Sequence, residues 1–284
     1  INESMQNHTT FKIGGPADMM VCPRTADEIK LVLTYCSARQ LPVMILGMGS
    51  NLLVTDKGIR GIVIKLGSNF SSWQIENEQI YAQAGIRLSE LAKKAAQHAL
   101  TGLEFAEGIP GSLGGAVLMN AGAYGGEMQD IIVAVEAMDH LGAMRTFSRQ
   151  ELNFAYRYST FQENRYTVLA ARMQLRSDIK EEIYARMQQH AHSRREKQPL
   201  EYPSAGSTFK RPPGYFVGPL VEKLNLKGYQ IGGAEVSEKH AGFIVNRGGA
   251  SAADVLQLIN KIQLEARNQF GVELHPEIRI VGEL

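Results

Sequence analysis

The sequence predicts a mixed fold of α-helices and β-strands arranged in about two domains, since domains commonly contain roughly 150 residues. Three observations support this. The 284 residues are 44% hydrophobic and 21% charged, as is typical of a globular protein. Helical periodicities are interspersed with short β-rich runs. A polar helix beginning near residue 180 follows the strand-rich part of the chain, which places a domain boundary there.

The first elements form a helix, a strand, a glycine turn and a second strand. The helix is predicted from Thr25 to Arg39 because apolar residues recur at helical spacing and Thr25 with Glu28 makes a capping box. Strands are predicted from Val43 to Leu46 and from Leu52 to Val54, on either side of the turn. Three more strands are expected next, at Ile62 to Leu66, Trp73 to Ile75 and Gln79 to Ala84.

The remaining elements follow the same patterns. A helix capped by Ser89 is expected, with Leu91, Ala92, Ala95 and Ala99 on its apolar face. Strands from Ile131 to Met138 and from Tyr166 to Leu175 precede the polar helix, which runs from about Ile179 to Arg195. The last third of the chain is expected to contain a strand from Phe243 to Asn246, a long helix opened by Ser251, and a strand from Leu274 to Val281.

Charge and composition exclude several function classes. Thirty Lys and Arg against 29 Asp and Glu give a net charge of +1, so no global field attracts nucleic acid or an anionic membrane. Apolar runs such as Val43 to Leu46 are far shorter than the roughly 20 residues that span a bilayer, and no signal peptide is expected. Two cysteines are too few for a disulfide framework, so we expect a cytoplasmic protein.

The first glycine-rich motif is the turn from Gly47 to Asn51. Gly47 and Gly49 permit close backbone approach, and Ser50 with successive backbone N–H groups can form an anion-binding concavity suited to a pyrophosphate. The motif matches neither a dinucleotide Rossmann fingerprint nor a phosphate-binding loop with its Lys. A turn whose glycines serve only steric needs is the alternative.

The second glycine-rich motif runs from Gly108 to Gly126 and contains seven glycines in 19 residues. Each Gly costs about 0.5–1 kcal/mol relative to Ala in a regular element, so this density favours backbone packed against a large, flat or charged cofactor. A mobile surface loop is the alternative, but Leu113, Val117, Leu118 and Met119 indicate burial.

Seven motifs occur in the order found in one enzyme family. They are Thr10–Asp18 (TFKIGGPAD), Gly47–Asn51 (GMGSN), Gly108–Gly115 (GIPGSLGG), Asn120–Gly125 (NAGAYG), Tyr156–Arg157, Ala205–Phe209 (AGSTF) and Pro276–Arg279 (PEIR). From Thr9 to Gly282 the chain resembles the UDP-N-acetylenolpyruvoylglucosamine reductases, flavoenzymes of bacterial peptidoglycan precursor synthesis. Seven ordered motifs are far more specific than any one of them.

This resemblance implies an α+β fold with a two-lobed FAD-binding domain of the p-cresol methylhydroxylase or vanillyl-alcohol oxidase type, plus a separate α+β substrate-binding domain. The first FAD lobe is expected at residues 1–66, joined by the C-terminal strand at 278–284, the second lobe at 67–179 and the substrate domain at 180–277. The resemblance further implies FAD as cofactor, NADPH as hydride donor, a UDP-sugar substrate and a monomer. Residues 168–176 run directly into the helix near Ile179, so the chain resembles the shorter subtype that lacks a substrate-covering tyrosine loop.

Residue roles follow from the same resemblance. Flavin N5 delivers hydride to the enolpyruvyl group, Arg157 holds the substrate carboxylate, Ser207 donates the proton and Glu277 assists. Substrate binding is expected at Tyr156, Lys197, Lys210 and Arg211, the last standing where some members have a substrate-contacting asparagine. The expected FAD-binding residues are Gly47, Gly49, Ser50, Asn51, Gly111, Ser112, Gly114, Gly115, Asn120, Gly122 and Ala123.

The proposed chemistry raises two physical questions. A serine hydroxyl is a very weak acid, so Ser207 needs a nearby cation or relay, and Lys197 and Lys210 are the lysines nearest to it in sequence. An ionised Glu277 would repel a developing enolate, so we expect it to be protonated or to share a proton at that step.

The substrate diphosphate requires local positive charge. Residues 186–211 contain six basic and two acidic side chains. A solvated helix face would account for Arg186 and Arg194, whereas Lys197 and Arg211 are expected to touch phosphate. His190 and His192, two positions apart on a helix, cannot face one metal ion together, and no metal site is expected.

Two other functions fit parts of the pattern. An FAD-linked alcohol or lactone oxidase of the same superfamily would need an oxygen route and a base, and its reduced flavin would reoxidise in air. A non-catalytic nucleotide-sugar binding protein would use the glycines only for phosphate and would be colourless when purified.

Overall fold

The structure is a computed structural model that describes residues 1–283. Its helices are α1 (Ala26–Ala38), α2 (Leu88–Gln97), α3 (Leu113–Met119), α4 (Lys180–Lys197), α5 (Val217–Lys223) and α6 (Ala252–Phe270). Its strands are β1 (Glu3–Ser4), β2 (Pro16–Val21), β3 (Val43–Leu46), β4 (Leu52–Val54), β5 (Ile59–Lys65), β6 (Trp73–Glu76), β7 (Gln79–Gln83), β8 (Leu100–Thr101), β9 (Gly122–Ala123), β10 (Gly126–Glu127), β11 (Ile132–Met138), β12 (Met144–Ser148), β13 (Thr167–Gln174), β14 (Arg176–Ser177), β15 (Ser204–Ser207), β16 (Gln230–Ile231), β17 (Ala234–Val236), β18 (Phe243–Asn246) and β19 (Arg279–Val281). None of the helices in this described part has the length and apolar character needed to cross a bilayer.

The chain divides into two compact units. The split unit comprises Ile1–Met19, Gly49–Arg60 and the residues from Arg195 onward, and the central unit comprises Met20–Met48 and Gly61–Arg194. The division into lobes at 1–66 and 67–179 and a domain at 180–277 stays a prediction.

The central unit is built on an antiparallel sheet with the strand order β12-β11-β13-β7-β6. The middle strand β13 is buried at five successive positions, Thr167 to Ala171, so its sequence is continuously apolar or small rather than alternating. Helix α2 buries a stripe of apolar residues in the same core, and α1 buries Ile29, Leu33 and Cys36. Strand β3 pairs in parallel with β5, from Val43 opposite Ile62 to Leu46 opposite Lys65.

The split unit contains an antiparallel sheet with the order β15-β18-β17-β16. Every residue of β18 is buried. Helix α6 begins at the N-cap Ser251, whose hydroxyl accepts from the Asp254 N–H while the Asp254 carboxylate accepts from the Ser251 N–H. This capping box fixes the start of a helix whose apolar face is buried. Strand β4 pairs in parallel with β19, from Leu52 opposite Arg279 to Val54 opposite Val281.

Several local predictions need correction. Helix α2 has Arg87 as its N-cap, so Ser89 lies inside the first turn. At α1, Thr25 caps the Glu28 N–H as predicted, but the Glu28 carboxylate accepts from the Arg24 N–H, one residue before the expected partner. The final strand covers only Arg279–Val281, because Phe209 and Pro276 form just an isolated bridge before it.

Candidate functional site

In the central unit, the two glycine-rich motifs meet. A Cβ added at Gly47 would overlap the Ser112 hydroxyl, so only glycine permits this approach. Ser112 is the N-cap of α3, and this helix within the second motif was not predicted. Gly114 packs tightly on Ala84, with 2.9 Å between an added Cβ and the Ala84 Cβ. Gly115 is exposed, and the nearest atom to its added Cβ is the Ser112 Oγ at 3.8 Å. The space beside Gly47 and Gly114 is thus filled by Ser112 and Ala84, and Gly115 is an open, exposed position near the buried Ser112.

Asn120 ends α3 in the left-handed conformation, with φ of 43°, and is fully buried. Its amide nitrogen donates to the Glu127 carboxylate at 2.9 Å and to the Ala155 carbonyl at 3.1 Å, and its oxygen accepts from the Gln129 N–H at 2.9 Å. The side chain therefore organises the protein itself. Gly122 is required by packing as well, because an added Cβ would lie 2.7 Å from the Glu127 Cβ.

Arg157 lies beside this second glycine motif. Its backbone is left-handed, with φ of 54°, and its carbonyl accepts from the Gln162 side chain at 2.8 Å. The guanidinium donates to the Gly122 carbonyl at 3.5 Å, and its carbon lies 5.2 Å from the centre of the exposed Tyr156 ring. Two of the expected site residues, Tyr156 and Arg157, are thus held next to an expected cofactor-binding residue.

In the split unit, the structure brings Ser207 and Glu277 onto neighbouring backbone segments although 70 positions separate them. The Glu277 N–H donates to the Thr208 carbonyl at 2.8 Å, and the Lys210 N–H donates to the His275 carbonyl at 2.8 Å. Lys210 therefore lies on the same pair of segments. The expected proton donor, the expected acid and one of the two expected relay residues share one local framework.

The turn residue Asn51 is attached to that framework. Its side-chain amide donates to the Glu277 carbonyl at 3.1 Å, and its own carbonyl accepts from the Arg279 N–H at 2.9 Å. Gly49 has φ of +64°, and an added Cβ there would overlap the His8 carbonyl. Asn51 and Glu277, two expected site residues, are consequently fixed relative to each other by a backbone and a side-chain bond.

Strand β15 contains a β-bulge directly before Ser207. Ser204 pairs with Val245 and Ser207 with Phe243, so three residue steps on β15 match two on β18. Gly206 supplies the required left-handed backbone, with φ of +81°. Such a bulge changes the direction of the side chain that follows it.

The basic residues of 186–211 separate into different roles. Arg194 is 8% exposed and donates to the Gly108 carbonyl at 2.8 Å, so its prediction as part of a solvated face was wrong. His190, one turn earlier on α4, stacks on Tyr124 with ring centres 4.4 Å apart. Lys197 and Arg211 are exposed, and the Arg211 guanidinium carbon lies 3.8 Å from the centre of the Phe216 ring. The spacing of His190 and Arg194, four residues apart on one helix, was the signal that could have indicated their joint contact with the glycine motif.

Arg186 forms ion pairs within the central unit. Its guanidinium donates to the Glu104 carboxylate at 2.9 Å and to the Asp178 carboxylate at 2.5 Å. Burial alone would raise the pKa of Glu104, but hydrogen bonds from Thr101, the Gly102 N–H and Arg186 outweigh it and lower that pKa. Glu104 thus remains ionised and holds Arg186, which leaves Arg186 committed to an internal ion pair.

Comparison with known proteins identifies the two halves of the chain. The family model of the UDP-N-acetylenolpyruvoylglucosamine reductase C-terminal domain matches residues 198–281, and that of an FAD binding domain matches residues 17–148. The reductase of Syntrophomonas wolfei is 54% identical over 283 residues, covering 100% of this chain and 95% of the relative. The reductase of Caldanaerobacter subterraneus is 53% identical and covers 100% and 93%.

A solved structure agrees with these matches. The crystal structure of UDP-N-acetylenolpyruvylglucosamine reductase from Thermus caldophilus superimposes with a TM-score of 0.85 at 38% identity, covering 98% of this chain and 97% of that one. The predicted α+β fold with an FAD-binding domain is confirmed. The chain therefore belongs to the UDP-N-acetylenolpyruvoylglucosamine reductase family and is an FAD-binding oxidoreductase of peptidoglycan precursor synthesis.

Proposed function

We propose that this chain reduces the enolpyruvyl ether of UDP-N-acetylglucosamine to UDP-N-acetylmuramate, with NADPH as the reductant. The observation that carries the proposal is the pairing of the Ser207 and Glu277 segments through the Glu277 N–H and the Thr208 carbonyl. This pairing supports the proposal because the backbone segments that carry a hydroxyl and a carboxyl are neighbours, and both groups suit a reaction that ends in proton delivery to carbon. The proposal further takes the protein to be cytoplasmic and monomeric, and size-exclusion chromatography tests the monomer.

The glycine-rich segments around Ser112 support the binding of FAD. Gly47 and Gly114 allow backbone to approach closely, and the open position at Gly115 leaves room for a flat ring or a phosphate. Bound FAD would supply hydride chemistry to the substrate. The residues proposed to hold it are Gly47, Gly49, Ser50, Asn51, Gly111, Ser112, Gly114, Gly115, Asn120, Gly122 and Ala123. For Asn120 we infer a backbone contact, since its side chain is engaged with Glu127, Ala155 and Gln129.

Arg157 is proposed to hold the substrate carboxylate. Its guanidinium is always charged and its planar donors match a carboxylate in a bidentate contact. Negative charge that develops on the enolpyruvyl group spreads into this carboxylate, so the same contact stabilises the transition state. The left-handed backbone at Arg157 and the Gln162 hydrogen bond to its carbonyl fix where the side chain starts.

Ser207 is proposed to deliver the proton to the substrate carbon, with Glu277 assisting. Lys210, on the same pair of segments, and Lys197 at the end of α4 are the candidates for returning a proton to Ser207. Tyr156, Lys197, Lys210 and Arg211 are proposed to bind the substrate, with Lys197 and Arg211 contacting its diphosphate.

The test separates the two half-reactions. In Ser207→Ala, bleaching of the flavin by NADPH should proceed at the wild-type rate, because no proton is delivered to substrate carbon in that step. Reoxidation by the enolpyruvyl substrate, followed anaerobically by stopped-flow absorbance, should slow by about 100- to 10,000-fold.

Ser204→Ala on the same strand is the matched control and should reoxidise at the wild-type rate. Reoxidation of Ser207→Ala at the wild-type rate would refute the role of Ser207. A protein purified without flavin absorbance, or one reoxidised by air faster than by the enolpyruvyl substrate, would refute the reductase function.

A further inference from the structure

His240 occupies a tight cradle in the split unit. An added Cβ would lie 3.1 Å from the His240 Cε1 at Gly218 and 2.9 Å from it at Gly242, so both glycines are needed to admit the ring. The ring also contacts Phe243 edge to face, with centres 5.0 Å apart. The two glycines and Phe243 therefore hold the imidazole ring in a fixed orientation.

The ring hydrogen-bonds to backbone that leads to Ser207. The Gly242 N–H donates to His240 Nδ1 at 3.1 Å, and the Gly242 carbonyl accepts from the Thr208 N–H at 2.9 Å. The next residue, Phe243, is the partner of Ser207 in the β15–β18 register. One residue, Gly242, thus connects the imidazole to the strand segment that carries Ser207.

The turn before the ring is fixed as well. The Ser237 hydroxyl accepts from the Lys239 N–H at 3.2 Å and from the His240 N–H at 3.3 Å. Because Nδ1 accepts a backbone hydrogen bond, it carries no proton, and the neutral ring has its hydrogen on Nε2. A second proton on Nδ1 would place two donors against each other.

We propose that His240 is a positioning residue for proton delivery by Ser207: its unprotonated Nδ1 holds the Gly242 N–H, and the Gly242 carbonyl in turn holds the bulged end of β15. This inference rests on the proposed function of Ser207. His240 itself is not proposed to touch substrate or to transfer a proton.

Burial, rather than the surrounding charges, favours the neutral His240 ring. From α5, Glu222 faces it, and from the segment after α5, Lys227 faces it; these two pair with each other at 3.1 Å. Lys239, on the same turn, is directed to the Arg195 carbonyl and the Glu201 carboxylate. Burial lowers the pKa of His240 below its ordinary value of 6.5 and outweighs the His240 backbone hydrogen bond and the Glu222 carboxylate, which both raise it; Lys227 lowers it slightly further.

The lowered pKa of His240 determines how the stability and the reaction rate depend on pH. Since the folded-state pKa is depressed, the unfolded chain binds more protons below about pH 6.5, so the stabilising bond is fully present above that pH. It is lost as the pH falls through the lower, folded-state pKa. Substrate-driven reoxidation should fall on the same acid limb.

Two substitutions distinguish the role of His240 as a hydrogen-bond acceptor from the effect of its protonation. Asn at this position can accept from the N–H two residues ahead, as in an Asx turn, and does not titrate. His240→Asn should keep the reoxidation rate within about threefold of wild type at pH 7.5. Its rate should fall less than that of wild type at low pH, because the contribution of His240 protonation is gone. His240→Leu, which has no acceptor, should slow reoxidation by about 10- to 100-fold with little change in substrate KM, since a misplaced Ser207 hydroxyl reduces the rate of the chemical step.

Two spectroscopic readouts do not depend on activity. Nitrogen NMR of histidine-labelled holoenzyme should show the His240 hydrogen on Nε2 at pH 7.5. Amide exchange at Thr208 and Gly242 should accelerate in His240→Leu and stay slow in His240→Asn. His192→Leu, an exposed histidine on α4, is the control and should change neither exchange nor reoxidation.

The outcomes are distinguishable. A hydrogen on Nδ1, or wild-type exchange and reoxidation in a folded His240→Leu, overturns the proposal. If His240→Leu does not fold, the tautomer together with the pH profile of His240→Asn decides, because an unchanged acid limb in that variant also overturns it. If Ser207→Ala reoxidises normally while the tautomer and exchange results are as expected, Ser207 is not the proton donor, and the failure lies in the proposed function.

Discussion

Gly206 is the single residue on which the direction of Ser207 most depends. Its φ of +81° lies in the left-handed region, and among the described residues no heavy atom approaches within 4 Å of an added Cβ. A methyl group there would therefore meet backbone strain without a clash. The left-handed conformation costs an L-residue roughly 1–2 kcal/mol.

Gly206→Ala should lower the free energy of unfolding by about 1 kcal/mol and slow substrate-driven reoxidation by about tenfold, because relief of the strain shifts Ser207. The measurements are urea denaturation and stopped-flow absorbance. Gly271→Ala is the matched control, since Gly271 ends α6 with φ of +64° and similarly open surroundings. It should lose similar stability and keep its reoxidation rate; equal rates in both variants would contradict the role of the bulge.

At the scale of elements, hydrophobic periodicity predicted the helices that bury an apolar face. The apolar faces of α1 and α6 and the Ser251 cap follow directly from helical spacing and capping chemistry. Helix α3 escaped prediction because Gly114 and Gly115 stand in its first turn, where propensity opposes a helix. Burial of Leu113 and Val117 overrides that propensity, which local sequence does not reveal.

The candidate site also contains features that the sequence predicts and features that depend on the folded chain. The glycine motifs were recognisable because a residue without a side chain signals close backbone approach. The bond between Glu277 and Thr208 was not, because no local rule relates residues about 70 positions apart. The bulge at Gly206 and the cradle of His240 depend on strand register, which only the folded chain shows.

Helix α4 holds the second glycine motif at two points. Arg194 donates to the Gly108 carbonyl, and His190 stacks on Tyr124. Gly108 and Tyr124 lie near the two ends of the motif, and both have left-handed backbone, with φ of +74° and +53°. One face of one helix thus restrains a segment whose glycines leave it few side-chain contacts of its own.

Arg194→Met should therefore weaken FAD binding by about tenfold and lower the free energy of unfolding by about 2 kcal/mol, since a hydrogen bond from a charged, buried side chain to the partly buried Gly108 carbonyl is lost. Fluorescence titration of the apoprotein with FAD and urea denaturation measure the two effects. The exposed neighbour Arg195→Met is the control and should change neither. Unchanged FAD affinity in Arg194→Met would show that α4 does not restrain the motif for the cofactor.

At the scale of the whole molecule, the split unit depends on all three of its segments. Its core contains Phe11 and Ile13 from the first segment and Leu53 from the second, each no more than 1% exposed. Strand β4 of the second segment also pairs with β19 at the end of the chain. The family match at residues 198–281 covers none of these contributions.

A chain consisting of residues 195–284 alone should consequently fail to fold cooperatively. Burying Phe11, Ile13 and Leu53 contributes about 6 kcal/mol, which is comparable with the roughly 5–15 kcal/mol of a whole domain. Circular dichroism during urea denaturation should show a broad transition or none. A chain that joins residues 1–19, 49–60 and 195–284 through flexible linkers restores the core and should unfold in one sharp transition. Sharp unfolding of residues 195–284 alone would show that the C-terminal segment has its own core and does not depend on Phe11, Ile13 and Leu53.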